Sequence, residues 1–381
     1  MPDKPELMQM MSQLIETPSV SCTNPDIDMS NQPVIHLLAN WLYELDFKVE
    51  IIPVSDGKSN LIATRGSGDG GLVLAGHTDT VPYDENRWQH NPFKLIEADH
   101  RLYGLGTSDM KAFLALAIEA ALLFKPEDYK QPLIILATSD EETTMEGAKT
   151  LVEISKPRAR YAIIGEPTGM KPIRMHKGIL MEAIRITGLA GHSSDPRLGH
   201  NAMEAMHTVI TELMQWRNEL QQQYKNPLFE VPVPTMNLGH IHGGDNPNRI
   251  CGSCELHIDI RPLPGMQLDD LRYQLNQRLS RVIPENGFKL ETFPLFSGIP
   301  AMETDSTSEL VKAAEKLTGH TSGSVAFGTE APFLTQLGIE TLILGPGNID
   351  QAHQPDEYLE LNRIQPTLDL LQKFIYQFCI T

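Results

Sequence analysis

The sequence contains few cysteines and little positive charge, and both shortages narrow the classes of protein that it can encode. Only Cys22, Cys251, Cys254 and Cys379 occur in a chain of 381 residues, too few for a disulfide framework, and this usage fits a reducing cytoplasm. Lysine and arginine total 31 against 49 acidic residues, which gives a formal charge of −18. Because such a surface repels phosphate backbones and no basic patch is present, no nucleic-acid partner is expected.

Long hydrophobic runs are also missing. The longest apolar stretch, Phe113 to Phe124, contains Glu119 and is shorter than the ~20 residues of a membrane-spanning helix, so no membrane partner is expected. The segment from Met1 to Thr17 has scattered charges and lacks the apolar core of a secretion signal. We therefore expect a cytoplasmic protein. With 41% hydrophobic and 21% charged residues, the composition is that of a globular chain of two or three domains at ~100–200 residues each.

Short, continuously apolar segments alternate with helical patterns in the outer parts of the chain. Strands covered on both faces do not alternate between apolar and polar residues. Four segments of this kind are Leu72–Ala75, Leu133–Ala137, Tyr161–Ile164 and Thr341–Leu344. Helices are predicted at Met110–Phe124 and at about Thr307–Leu317, the second opened by the capping-box spacing Ser306-x-x-Glu309 and ending before Gly319. This alternation predicts an α/β domain with a central, mostly parallel sheet.

The middle of the chain follows a different pattern, in which apolar and polar residues alternate as they do in strands with one exposed face. The segments are Met181–Gly188, Thr235–Ile241, Cys254–Arg261 and Lys289–Leu295. Amphipathic helices at about Asn201–Tyr224 and Leu268–Val282 separate them in the order β-α-β-β-α-β. The pattern predicts an inserted α+β domain, residues 181–292, within a discontinuous domain formed by residues 1–180 and 293–381.

Residues suited to metal binding follow each of the apolar strands or precede a helix. They are His77, Asp79, Asp109, Glu141, Glu142, Glu166 and His353. Open α/β sheets bind ligands beyond the carboxyl ends of their strands, and carboxylates gathered there repel one another unless cations lie among them. Histidine with aspartate and glutamate, without cysteine, suits zinc, cobalt or manganese. Any one of these residues alone is more often a packing histidine or a solvated acid, so the hypothesis depends on their joint arrangement.

The motifs around these residues resemble the signature of the M20 family of metallopeptidases and deacylases, in family order and over essentially the whole chain. They are Gly76-His77-Thr78-Asp79-Thr80-Val81-Pro82, Gly106-Thr-Ser-Asp109-Met110-Lys111, Asp140-Glu141-Glu142, Gly165-Glu166-Pro167-Thr168 and Ala352-His353-Gln354-Pro355-Asp356-Glu357. Segments Cys251-x-x-Cys254-Glu255-Leu256 and Thr329-Glu330-Ala331-Pro332-Phe333 are most similar to family members that act on N-acetyl-L-ornithine. The resemblance implies hydrolysis of this small N-acyl amino acid to L-ornithine and acetate, a step of arginine biosynthesis.

The resemblance also implies two divalent metal ions, zinc or else cobalt, and a role for each residue of the centre. The implied ligands are His77 and Glu166 for one ion, Glu142 and His353 for the other, and Asp109 as the bridge. Asp79 would orient the imidazole of His77 from outside the ligand set. Glu141, next to a ligand but not itself one, would be the general base. In this family the peptide between Asp109 and Met110 is expected to be cis.

The inserted domain would act as a lid and as the interface of a homodimer. The resemblance places His192 at the metal centre of the neighbouring subunit, as a donor to the oxyanion. The residues expected to contact substrate are Asn248, Arg261, Gly328, Thr329 and Glu330. For Arg261 a salt bridge at the end of its strand remains an alternative, and for Glu330 a cap of the following helix.

Other functions remain open at this point. The chain could be another M20 enzyme, such as a succinyl-diaminopimelate desuccinylase or a dipeptidase, or a catalytically silent metal-binding homologue. The presence of Glu141 argues against a silent homologue, which would not need a base. Cys251-x-x-Cys254 has no second cysteine pair and is interpreted as packing. Because the sequence has neither a Gly-x-Ser-x-Gly elbow nor a His-Glu-x-x-His helix, the common serine-hydrolase and zincin types are excluded.

Overall fold

The computed structural model describes residues 5–283 and 286–381. The strands are β1 Lys48–Ser55, β2 Lys58–Arg65, β3 Leu72–His77, β4 Ile96–Ala98, β5 Arg101–Tyr103, β6 Leu133–Thr138, β7 Tyr161–Ile164, β8 Ile173–His176, β9 Leu180–Thr187, β10 Thr235–Gly243, β11 Ser253–Arg261, β12 Lys289–Pro294, β13 Met302–Glu303, β14 Gly323–Val325, β15 Glu340–Ile343 and β16 Tyr358–Glu360. The helices are α1 Leu7–Glu16, α2 Gln32–Glu44, α3 Lys111–Ala121, α4 Glu146–Glu153, α5 Ala202–Gln223, α6 Leu268–Val282, α7 Glu309–Thr318, α8 Ala331–Gln336 and α9 Ile364–Ile375.

Two compact units make up the described chain. The first contains the described residues up to Arg174, together with Thr304–Gly323 and Thr329–Thr381, and the second contains Met175–Glu303 and Ser324–Gly328. Two assignments stay predictions. They are catalysis by residues 1–180 with 293–381, and dimerisation by residues 181–292.

A mixed sheet forms the centre of the first unit, with strands in the order β1-β2-β6-β3-β7-β15. The four strands predicted from continuous apolar runs, β6, β3, β7 and β15, lie side by side and run parallel. All residues of β3, β6 and β7 are buried. The predicted α/β domain with a central, mostly parallel sheet is confirmed. Its register pairs His77 with Thr138 and Ala75 with Ile164, so these strands end at one edge of the sheet.

Helix α3 packs on this sheet. The loop that ends in Asp109 directly precedes it. The residues of α3 are alanine, leucine, isoleucine and phenylalanine with one lysine and one glutamate, and all except Glu119 are buried. It packs against β3 and against helices α1 and α9. The observed helix is shorter than the predicted Met110–Phe124, and the peptide between Asp109 and Met110 is cis, as expected.

Helix α7 begins later than the sequence predicted. Its cap is the hydroxyl of Ser308, which accepts a hydrogen bond from the amide of Leu310, so the prediction of Ser306 as the first residue of a capping box is wrong. The carboxylate of Asp305 instead accepts the amide of Thr307 at 2.6 Å, which holds this segment in a turn before the helix starts. The end at Gly319 agrees with the prediction, and Gly319 has a φ of 72°.

The second unit contains an antiparallel sheet in the order β10-β11-β9-β12. Helices α5 and α6 pack on it through a core that includes Trp216, Leu256 and Leu275. In β11 the residues Cys254 to Ile260 alternate between buried and half-buried, as the sequence predicted. Together these elements confirm the predicted βαββαβ order of an α+β insertion. Cys251 and Cys254 are buried and free.

Among residues 5–283 and 286–381, no helix is both long enough and apolar enough to cross a lipid bilayer.

Candidate metal centre

The first unit brings the predicted metal ligands to the edge of the sheet where its parallel strands end. His77 is the last residue of β3, and Glu166 follows the end of β7. Glu142 lies in the turn after β6, which passes through Asp140 in a left-handed conformation with a φ of 57°. His353 lies in the loop after β15. Sheet order therefore gathers side chains that are far apart in the sequence, as open α/β sheets do.

One group of possible ligands forms around the buried imidazole of His77. Its Nε2 atom is 3.0 Å from Oδ1 of Asp109 and 3.9 Å from Oε1 of Glu166. One donor atom from each of the three residues lies within 4.8 Å of the other two. This spacing is compact enough for one cation to contact all three side chains.

A second group forms around the imidazole of His353, which is partly exposed. Its Nε2 atom is 3.0 Å from Oε2 of Glu142 and 3.7 Å from Oδ2 of Asp109. Asp109 therefore presents Oδ1 to the first group and Oδ2 to the second. A carboxylate placed in this way can be shared by two cations.

The orientation of His77 is set by the main chain of Asp79. Nδ1 of His77 is 2.9 Å from the carbonyl oxygen of Asp79 and 3.7 Å from its carboxylate. Because a carbonyl oxygen can only accept, Nδ1 donates to Asp79, and Nε2 is the ring nitrogen that faces Asp109. The carboxylate of Asp79 accepts the amide of Glu142 at 3.1 Å. Asp79 thus contacts the imidazole of His77 through its carbonyl oxygen and the turn that contains Glu142 through its carboxylate.

Burial and mutual repulsion raise the pKa of most acids in this cluster. For Glu166 and Glu142 the causes are burial and then the charge of Asp109, and for Glu141 they are burial and then the charge of Glu166. Burial also acts on Asp109, but its hydrogen bond and charge interaction with His77 outweigh it and lower the pKa. The hydrogen bond with Glu142 raises the pKa of His353 to about 9. The cluster therefore attracts positive charge.

The residues present fit a divalent cation in each group. Oε1 of Glu166 is buried without a hydrogen-bond partner among the described residues, although it faces the Nε2 side of His77. A buried carboxylate oxygen without a donor is costly unless a cation satisfies it. Two imidazoles and three carboxylates are donors that zinc, cobalt and manganese accept.

Glu141 lies beside both groups. An oxygen of its carboxylate is within 4.8 Å of donor atoms of His77 and Glu142. The sequence motifs predict that Glu141 is the base and that its neighbour Glu142 is a ligand. The distances place Glu142, and not Glu141, in the group with His353.

Glu330 does not cap helix α8 with its side chain. The amide of Ala331 is instead accepted by the hydroxyl of Thr329 at 3.1 Å. The carboxylate of Glu330 is buried, where Oε2 accepts a hydrogen bond from the Thr138 hydroxyl at 2.9 Å and Oε1 has no described partner. Burial raises the pKa of this carboxyl to about 7. Gly328, the preceding predicted residue, belongs to the second unit.

The remaining predicted residues lie in the second unit. His192 is exposed, with Nδ1 2.7 Å from the hydroxyl of Ser194. The amide of Ser193 donates to the carbonyl of Asn248, so the loops of His192 and Asn248 adjoin. Arg261 forms the salt bridge that the sequence analysis left as an alternative, with Nε 3.0 Å from the carboxylate of Asp259.

A buried lysine that was not predicted from the sequence lies behind the acidic turn. Nζ of Lys58 is 3.1 Å from Oδ1 of Asp140 and 2.8 Å from Asp28. The hydroxyl of Ser21 donates to the same oxygen of Asp140 at 3.0 Å. These bonds hold the residue that precedes Glu141. Nothing in the sequence around Lys58 distinguishes it from a lysine on the surface.

Comparisons with known proteins agree with the motifs. Residues 73–377 match the model of peptidase family M20/M25/M40. Acetylornithine deacetylase of Pasteurella multocida (strain Pm70) is 52% identical over 377 residues, 98% of each chain. Its counterpart from Vibrio campbellii (strain ATCC BAA-1116) is 50% identical over 375 residues, 98% of this chain and 99% of that protein.

Solved structures of lower identity have the same fold. An M20 metallo-carboxypeptidase from Sulfolobus solfataricus superposes with a TM-score of 0.76 at 17% identity, over 98% of this chain and 99% of that one. A dinuclear metal-binding M20 peptidase from Bacillus subtilis gives a TM-score of 0.66 at 16% identity, over 97% of both chains.

Proposed function

The chain belongs to peptidase family M20/M25/M40 and is a metal-dependent hydrolase of amide bonds, and from this premise we propose that it converts N-acetyl-L-ornithine to L-ornithine and acetate. The observation that carries the proposal is 52% identity, over 98% of both chains, to a protein named acetylornithine deacetylase. We place the reaction in arginine biosynthesis and in the cytoplasm. The four free cysteines are consistent with a reducing compartment.

We propose that two divalent ions, zinc or cobalt, occupy the centre. His77 and Glu166 would hold one, Glu142 and His353 the other, and Asp109 would contact both. Bound ions of this kind lower the pKa of water to roughly 7 and polarise a carbonyl group. The support is the donor chemistry of the two groups and the unpartnered oxygen of Glu166.

Glu141 is assigned the proton transfers. Its carboxylate takes a proton from the attacking water as the new carbon–oxygen bond forms at the acetyl carbon. It returns this proton to the ornithine nitrogen as the carbon–nitrogen bond breaks, so that an amine leaves instead of an amide anion. A positioned carboxylate of this kind contributes about 10²–10⁴-fold to the rate. The support is its position beside, but outside, the group of Glu142 and His353.

We assign to Glu330 the binding of the side-chain ammonium group of ornithine. One of its carboxylate oxygens is fixed by Thr138, and the other is buried without a described partner. An ammonium group is the donor that satisfies such an oxygen most strongly. The alternative role as a helix cap is filled by Thr329. This assignment predicts a preference for a substrate with a cationic side chain.

The second unit is assigned binding of the substrate carboxylate and donation to the oxyanion. The guanidinium of Arg261 matches a carboxylate in shape, and a substrate carboxylate would compete with Asp259 for it. Asn248 would assist Arg261, and Gly328 and Thr329 would border the substrate. His192 would donate to the oxyanion of the other subunit in a homodimer. The edge strand β10 supports such a dimer, because an open edge with an exposed Ile241 can pair with a second copy.

The test of this function is a comparison of substrates. The protein is freed of metal, reconstituted with zinc or cobalt, and assayed with N-acetyl-L-ornithine, N-succinyl-diaminopimelate and a set of dipeptides. We expect the highest kcat/KM for N-acetyl-L-ornithine. A higher value for the succinyl compound or for a dipeptide would identify another activity of the family, and no turnover of any of them would favour a silent homologue.

A further inference from the structure

Glu357 holds the loop that ends in Asp109. The carboxylate of Glu357 is buried, and its Oε1 atom accepts hydrogen bonds from three main-chain amides, those of Gly106 at 3.1 Å, Ser108 at 2.7 Å and Asp109 at 3.0 Å. A fourth bond joins the amide of Gly104 to the carbonyl oxygen of Glu357 at 3.0 Å. Both the side chain and the main chain of Glu357 therefore fasten this loop.

The loop has little intrinsic preference for the conformation that it adopts. Gly104 and Gly106 have φ values of 150° and 91°, which side chains other than glycine rarely allow. A Cβ atom at Gly106 would lie 3.0 Å from Cε of the buried Lys111, so the loop also passes close to the following helix. Because the three amides converge on one oxygen, the position of that oxygen sets the path of the loop.

Glu357 also joins two segments that bring proposed ligands. It follows His353 in the same loop, and it binds the amide of Asp109 itself. Both carboxylate oxygens of Asp109 face the cluster, one towards His77 and the other towards His353. A displacement of the Asp109 main chain would therefore change both groups together.

We propose that Glu357 is a positioning residue for the metal centre, which fixes the Asp109 carboxylate between the two groups before any ion binds. The inference rests on the proposed function in one respect, that Asp109 is a shared ligand. Glu357 would hold Asp109 in its binding position in advance, and residues that orient metal ligands in this way typically contribute roughly 10–100-fold to metal affinity.

Three substitutions separate the position of the oxygen from its charge. Glu357→Gln keeps an acceptor oxygen in place and removes the charge. Glu357→Asp keeps the charge but shortens the side chain by one methylene, so that the oxygen cannot reach all three amides. Glu357→Met keeps the approximate volume and removes the acceptor. We expect affinity for zinc to fall roughly 10–100-fold for the aspartate and methionine variants and to change little for the glutamine variant.

The matched control is Glu315→Met. Glu315 lies in the same unit, and its carboxylate accepts the amide and the hydroxyl of Ser322 at 2.8 and 2.7 Å, in a segment without proposed ligands. We expect this variant to lower the melting temperature without changing the zinc affinity. It therefore reports the cost of losing a half-buried carboxylate acceptor for a short segment elsewhere in the unit.

The experiment uses the full chain and has two measurements. Zinc affinity is measured by competition with a chromophoric chelator, and amide hydrogen exchange is measured on the metal-free protein for peptides covering residues 104–110. We expect faster exchange there in the aspartate and methionine variants and not in Glu315→Met. If Glu357→Met lowers the melting temperature but leaves zinc affinity and this exchange unchanged, the residue is merely structural and the proposal fails.

Two further outcomes distinguish a failure of the role proposed for Glu357 from a failure of the proposed metal centre. If Glu357→Met does not fold, the comparison of the other two variants decides. A loss of zinc affinity in Glu357→Gln that is as large as the loss in Glu357→Asp, or larger, would mean that an oxygen in the right position is not sufficient, and would overturn the proposal. If the wild-type protein binds no zinc, the proposed metal centre fails, while hydrogen exchange in the metal-free variants still tests whether Glu357 fixes the loop.

Discussion

Nε2 of His77 lies 3.0 Å from Oδ1 of Asp109, and the other oxygen of the same carboxylate faces His353. This relationship predicts different effects for different ligands. Asp109→Asn should weaken the binding of both ions, because it removes the charge that the two groups share, whereas Glu166→Gln should weaken only one. Stepwise zinc titration by calorimetry measures both. Loss of only one binding step in Asp109→Asn would contradict the bridging role.

Removal of metal should abolish activity and selective return of metal should restore it. We expect a chelated sample to recover with about two equivalents of zinc or cobalt, as a dinuclear centre requires. Activity against added metal, measured after removal of the chelator, gives the stoichiometry. Magnesium serves as the control, because it prefers oxygen and water to imidazole. Full recovery with magnesium alone would show that the histidines are not ligands.

Glu141→Gln should separate proton transfer from metal binding. The substitution preserves volume and removes the base, so kcat should fall by at least ~10²-fold while the metal content stays unchanged. Glu142→Gln is the matched variant and should lose metal. Metal content by atomic absorption and kcat at saturating substrate test both. If Glu141→Gln loses metal and keeps its rate per bound ion, the two glutamates have exchanged roles.

Glu330→Gln should impair one substrate more than another. The variant keeps a hydrogen-bonding group near Thr138 but removes the charge opposite an ammonium, so kcat/KM for N-acetyl-L-ornithine should fall more than for N-acetyl-L-methionine. The uncharged substrate is the internal control for general damage to the site. Equal losses for both substrates would mean that Glu330 has a structural role.

Mixing two inactive variants tests whether His192 acts across a dimer. Removal of one oxyanion donor costs roughly 10²–10³ in kcat, so both His192→Ala and Glu141→Gln should be nearly inactive alone. After exchange of subunits, a mixed dimer has one site with both residues intact if His192 acts in trans, and activity should return. Mixtures that stay inactive despite proven exchange would assign His192 to its own subunit, and a fully active His192→Ala would assign it no role.

The sequence predicted the centre of the fold because the signal there is strong. Four buried strands read as continuous apolar runs, and the observed β15, Glu340–Ile343, differs from the predicted Thr341–Leu344 by one residue at each end. Strand β1 gave no such signal, because most of its residues, Ile51 among them, are exposed or half-buried. The candidate site residues at the ends of these strands could be predicted because the strands themselves could be recognised.

Contacts that depend on the path of the main chain were not predictable in the same way. The sequence placed Asp79 beside His77, but only the turn geometry brings the carbonyl of Asp79, and not its carboxylate, to within 2.9 Å of the imidazole. The three amides that meet Glu357 leave no trace in the sequence beyond two glycines. Likewise, the sequence left the partner of Arg261 open, and the structure pairs it with Asp259.

The order of strands in the first unit also determines at which point of synthesis the central sheet can be completed. Strand β7 pairs with β3 on one side and with β15 on the other, and β15 comes after the whole α+β insertion in the chain. A nascent chain that has reached Ile164 therefore has an unsatisfied strand edge, which invites aggregation until residues 340–343 leave the ribosome. His353 is made later still. A chain truncated before residue 340 would therefore keep this open strand edge and lack His353, one of the proposed ligands.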